Sequence, residues 1–144
     1  MLKIFLASHA HLASGMKSSL DLLFGECPNL RVFDAYVESD ERLTDELDTF
    51  FQMISEDDDV LLLSDIYGGS VNTQMCSYLN RPKTRLVTGI NLSFLIEIAS
   101  TSVITDERLD EIIEQSRFFM RRVVLDGEGG DDMNTASNSE DEFF

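Results

Sequence analysis

Val60-Leu61-Leu62-Leu63 constrains this chain more than any other stretch: four consecutive apolar residues stand between Asp57-Asp58-Asp59 and Ser64-Asp65. The run is too short for a core helix and apolar at every position. It therefore reads as a strand covered on both faces, the situation of a central strand in a parallel sheet. Such a sheet needs helices on both sides, and the flanking sequence supplies them. Lys3 to Ala7 is a first strand. Met16, Leu20, Leu23 and Phe24 then recur at helical spacing, and Gly25 and Pro28 stop that helix. Leu30 to Tyr36 alternates as a second strand, and Leu43, Leu47, Phe50, Phe51 and Ile54 stripe a second helix.

Beyond the central run, Gly68-Gly69 turns the chain into a third helix carrying Val71, Met75, Tyr78 and Leu79. Thr84 to Thr88 gives a fourth strand, and Leu92, Leu95, Ile96 and Ala99 mark a fourth helix. Thr105 caps a fifth helix with the stripe Leu109, Ile112, Ile113, Ser116 and Met120. Val123-Val124-Leu125 is too apolar to leave exposed and too short to stand alone. It is expected as a final edge strand, on its own sheet or on a neighbour's. The class is α/β, a doubly wound, mainly parallel sheet with strand order 2-1-3-4.

The 144 residues fit one domain with an appendage. From Asp126 to Phe144 there are seven carboxylates and no Lys or Arg, so residues 1–125 are expected to be the domain and 126–144 a solvated acidic tail. The net charge of -16 repels phosphate backbones and anionic headgroups, which argues against nucleic acid and membrane surfaces. Cys27 and Cys76 stand far apart without ligand spacing, and the opening apolar run, broken by His9, is too short for a signal or a span. A cytoplasmic protein without direct membrane insertion is expected. The chain has no GxxxxGK and no GxGxxG, and no acidic pair follows the first strand, so P-loop, dinucleotide and aspartyl-phosphate chemistries lose their main residues.

In an open parallel sheet, ligands bind beyond the carboxyl ends of the strands where the connections diverge. Ser8-His9-Ala10-His11 follows the first strand, Asp65-Ile66-Tyr67-Gly68-Gly69-Ser70 the third and Gly89-Ile90-Asn91 the fourth, and these loops are expected to converge. With strands one and three adjacent, His9 and Asp65 form a pair. A carboxylate on one ring nitrogen fixes the tautomer and frees the other nitrogen as nucleophile or base. Gly68, Gly69 and Ser70 open a helix, where free amides and a hydroxyl suit an anion. Together these residues point to phosphoryl transfer onto histidine. His9, His11 and Asp65 also allow a metal site, a weaker reading without a third imidazole or a cysteine.

ASHAHLASGMKSSLDLLFG, LLLSDIYGGSVN and VTGINLSFLIE, in this order and spacing, resemble three signatures of the mannose-type EIIA domains of the bacterial sugar phosphotransferase system. The resemblance covers about residues 1 to 125. It implies that His9 takes a phosphoryl group from the carrier HPr and passes it to a cognate EIIB, with membrane EIIC and EIID acting downstream. It further implies that Asp65 orients His9, and that Ser8, Gly68, Gly69 and Ser70 bind the phosphoryl group with neither metal nor cofactor. The last strand, Val123 to Leu125, would be swapped within a homodimer. Two positions depart from the family pattern: Ala10 replaces the usual Gly after the histidine, and Val71 the common Pro after the serine. A regulatory module of the same fold, signalling or silenced in transfer, is the alternative.

Overall fold

The computed structural model describes residues 1–125, so the expected acidic tail from Asp126 onward lies outside the described residues. The elements run β1 (Leu2–His9), α1 (Leu12–Leu23), β2 (Leu30–Ala35), α2 (Leu43–Met53), β3 (Asp59–Ser64), α3 (Ser70–Cys76), β4 (Thr84–Thr88), α4 (Leu92–Ala99) and α5 (Asp106–Phe118). The four strands form one parallel sheet in the order β2-β1-β3-β4, as expected. Side chains alternate faces along each strand and sort the core into two layers. Leu2, Ile4, Leu6, Leu61 and Leu63 pack with Ala13, Leu20, Phe94, Leu95, Ile98, Leu109 and Ile112 of α1, α4 and α5. Phe5, Ala7, Val60 and Leu62 pack on the other face with Leu43, Leu47, Phe50, Val71 and Met75 of α2 and α3. Successive residues of β3 thus feed opposite layers, which is why the run has no polar position.

Three helices differ from the expected pattern. α3 ends at Cys76, so Tyr78 and Leu79 lie beyond it, where Tyr78, Leu79 and Arg81 each donate an amide three residues back ahead of Pro82. Tyr78 still packs: its ring stacks on Phe51 and its hydroxyl donates to Asp48 at 2.7 Å, joining this turn to α2. α4 is apolar nearly all round: of the expected stripe Leu95 is fully buried and Ile96 and Ala99 pack half-buried on the core, while Phe94 and Ile98 are the buried positions the stripe missed. In α5 the Thr105 hydroxyl does accept the Arg108 amide, but the helix stops at Phe118 and leaves Met120 86% exposed.

Val123-Val124-Leu125 does not extend the chain's own sheet. The segment is non-regular, with Val123 86% and Leu125 81% exposed. The expectation that these residues need cover stands on their apolar character, but the chain's own sheet does not provide it.

Candidate functional site

The order β2-β1-β3-β4 puts the carboxyl end of β1 between those of β2 and β3, and the site is built there. His9 closes β1, and Asp65 follows β3 directly. One oxygen of Asp65, Oδ2, accepts both the His9 backbone N–H at 2.8 Å and the His9 ring Nδ1 at 2.9 Å. Burial pushes the Asp65 carboxyl up, but the His9 amide and ring and the Asp65 amide outweigh it and hold the group below the ordinary carboxylate range. An ionised carboxylate only accepts hydrogen bonds, so Nδ1 carries the proton and Nε2 of the neutral ring keeps its lone pair. The other Asp65 oxygen, Oδ1, is buried with no partner among the described residues. The side chain's hydrogen bonds to other residues are therefore both made by Oδ2, and both go to His9.

The Asp65-to-Ser70 turn is shaped around that ring. Gly68 sits at φ +74°, in the left-handed region that glycine enters without penalty. A Cβ on Gly69 would come within 2.7 Å of Ile66 Cγ2 and 3.2 Å of His9 Cε1, so glycine here lets the turn close on the histidine. Ser70 opens α3 with its hydroxyl 3.3 Å from His9 Nε2. The Gly69 amide is spent on the Ile66 carbonyl at 3.3 Å. Among the described residues the Gly68 and Ser70 amides bond no backbone carbonyl, which leaves them and the Ser70 hydroxyl for an anion.

Tyr36, just past β2, completes the constellation and was not among the expected residues. Its hydroxyl lies 2.5 Å from Ser70 Oγ, and its ring centre is 5.5 Å from that of His9. The signal was available, since a strand beside β1 in the sheet brings its own carboxyl end to the same place. Periodicity says nothing about such a residue.

A family model for the EIIA-man family, described as PTS system fructose IIA component, matches residues 3–116. The chain belongs to this mannose-type EIIA family. It is 27% identical over 100 residues to the sorbose-specific EIIA component of Lacticaseibacillus casei, covering 68% of this chain and 72% of the relative. With the fructose-specific EIIA component of Bacillus subtilis (strain 168) it shares 26% over 102 residues, covering 69% and 70%. A solved sugar phosphotransferase system protein from Klebsiella pneumoniae superposes with a TM-score of 0.77 at 27% identity, over 84% of this chain and 90% of that one. As an EIIA-family protein, the chain is a component of a sugar phosphotransferase system.

The remaining candidates fall outside the His9–Asp65 pair. Ser8 is fully buried, and its hydroxyl donates to the Ala10 carbonyl at 3.0 Å and accepts the Ala13 amide at 2.7 Å. Its hydroxyl is engaged at the start of α1. His11 pairs through Nδ1 with Asp34 Oδ2 at 3.1 Å, while Asp34 also takes the Ser14 amide and hydroxyl at 2.9 and 2.6 Å. The two histidines thus turn to different carboxylates, and His9, His11 and Asp65 are not assembled as one ligand set. Asn91 caps α4 through Phe94 N at 2.8 Å and donates to the Ser116 carbonyl at 2.7 Å, so the third loop ties helices together. Ala10 has φ +53°, which accounts for the glycine usual at this position. Among the described residues no helix is long and apolar enough to cross a membrane.

Proposed function

We propose that His9 is the phosphoryl acceptor of this EIIA component, loaded by HPr and discharged to a cognate EIIB during sugar uptake. The observation that carries the reading is the double hydrogen bond to Asp65 Oδ2, which fixes the backbone and the ring of one residue with a single charge. The Nε2 lone pair forms a new P–N bond as the P–N bond in phosphorylated HPr breaks, its electron pair returning to the donor imidazole. With Nδ1 still protonated the His9 ring becomes cationic, and Asp65 is its counter-charge. The Ser70 hydroxyl and the Gly68 and Ser70 amides take the phosphoryl oxygens. Transfer to EIIB repeats the exchange in the other direction. Neither nucleotide nor metal enters this scheme, and its setting is the cytoplasm.

Val123 to Leu125 supports a second part of the reading. An apolar segment whose Val123 and Leu125 are left exposed by their own chain suits a swapped edge strand in a homodimer. The silenced alternative would need Ala10 to disturb the histidine, whereas the strained Ala10 backbone coexists with an assembled dyad. The test is loading with phosphoenolpyruvate, enzyme I and HPr, followed by addition of EIIB. One acid-labile phosphoryl group should appear by intact mass and disappear on EIIB addition. A loaded protein that EIIB does not discharge would favour a regulatory role.

A further inference from the structure

We propose that Tyr36 is a ligand of the phosphoryl group, its hydroxyl donating to a phosphoryl oxygen once His9 is loaded; this rests on the phosphocarrier reading above. Tyr36 has φ +67°, a conformation that a bulky residue rarely takes and that persists where surrounding contacts enforce it. Core packing does not enforce it here. The side chain is 61% exposed, and it borders an open cleft lined also by Val37, Glu38, Arg42, Thr44 and Gln74. The contacts that engage it lie at the site: Ser70 Oγ at 2.5 Å, the His9 ring at 5.5 Å between centres with planes tilted by 37°, and Gln74 Nε2 at 3.5 Å.

The direction of this chain of hydrogen bonds follows from the Asp65 dyad. Nε2 offers a lone pair, so the single Ser70 proton points to it, and Ser70 Oγ accepts from Tyr36. When phosphorus takes the Nε2 lone pair, that nitrogen stops accepting. The Ser70 proton then has a phosphoryl oxygen in its place, and the Tyr36 hydroxyl turns from Ser70 Oγ to donate to a second phosphoryl oxygen. No proton changes owner: both hydroxyls only turn. With its backbone at φ +67°, Tyr36 carries a hydroxyl that meets Ser70 Oγ at 2.5 Å, and Ser70 Oγ lies 3.3 Å from Nε2.

The experiment compares wild type, His9→Ala, Tyr36→Phe and Tyr36→Gly, loaded either by phosphorylated HPr or by potassium phosphoramidate, which needs no protein partner. Tyr36→Phe keeps the ring and removes one donor. Its kcat for loading from HPr should fall about tenfold with KM unchanged, and the ³¹P resonance of its phosphohistidine should move from the wild-type position. Tyr36→Gly relaxes the backbone and should melt no lower than wild type while losing transfer as well. If Tyr36→Phe matches wild type in kcat and ³¹P position, the proposal is overturned while the phosphocarrier reading stands. If Tyr36→Gly melts lower yet transfers normally, the residue is structural and the proposal is likewise overturned. If wild type takes phosphate from neither donor, both readings fall together.

Discussion

Asp65 puts one oxygen on two donors of the same residue, and this fork makes Asp65→Asn the sharpest single-residue probe. An amide can offer one acceptor there but no charge, so the cation formed on phosphorylation loses its counter-charge. Phosphorylation should slow by about 100-fold or more, while circular dichroism and melting stay near wild type; an unchanged rate would remove Asp65 from the mechanism. Gly69 is the second probe. The Cβ of Gly69→Ala would press on Ile66 and on the His9 ring, so transfer should fall in a protein that still folds. At Ala10 the expectation has the opposite sign, because its left-handed backbone costs an L-residue about 1–2 kcal/mol, partly offset by the extra freedom glycine has when unfolded. Ala10→Gly should therefore raise stability by roughly 0.5–1 kcal/mol, read as a higher denaturation midpoint. At this scale the sequence was legible for His9, Asp65, Gly68, Gly69 and Ser70 as residues brought together, since type and position after a strand located them. It was not legible for the burial of Ser8 or the approach of Tyr36. Those depend on the inward side of β1 and on a positive φ, neither of which leaves a mark in residue spacing.

Helix starts carry much of the element-scale order, and they do so through side chains borrowed from loops and strands. α1 has no cap from its own N-terminal residue. Its second and third amides, those of Ala13 and Ser14, are taken by Ser8 Oγ and by Asp34 Oδ1 from β2. Ser8→Ala would leave a buried amide unpaired and should cost about 1–3 kcal/mol, checked by chemical denaturation. Because α1 follows the site loop directly, that loss should also loosen His9. Apolar periodicity with turn and cap residues foresaw the four strands and five helices in kind and order, with β4 matched in full and the central run of β3 at the sheet centre. The differences came at helix ends and faces, and at Val123 to Leu125, which forms no strand on the chain's own sheet. α3 was drawn too long because Tyr78 keeps the helical spacing while tertiary stacking on Phe51 holds it outside the helix. α4 has so few polar positions that its buried face cannot be chosen from sequence.

At the scale of the whole molecule, two carboxyls at the carboxyl ends of β2 and β3 tie folding to pH. Burial pushes Asp34 and Asp65 up, but the Ser14 donors and His11 at Asp34, and the His9 donors at Asp65, leave both below the ordinary carboxylate range. A carboxyl lowered by folding stabilises the native state fully above its unfolded pKa of about 4 and ceases to do so as pH falls through the lowered value. Stability should thus hold at neutral pH and fall below about pH 4, less steeply in Asp65→Asn. A full-length midpoint that stays level to pH 2 would contradict this. The proposed swapped homodimer is tested by sedimentation of the full chain and of one ending after Arg122: a dimer that weakens on loss of Val123 to Leu125 is expected, and a monomeric full chain or an unchanged dimer would refute the swap. The central claim concerns His9 itself, and the most direct measurement is intact-mass analysis after loading with phosphoenolpyruvate, enzyme I and HPr. Wild type, His9→Ala and His11→Ala should be compared. One acid-labile phosphoryl group on wild type and His11→Ala, and none on folded His9→Ala, is the predicted result. Retention of that group by His9→Ala, or its absence from all three, would contradict the account.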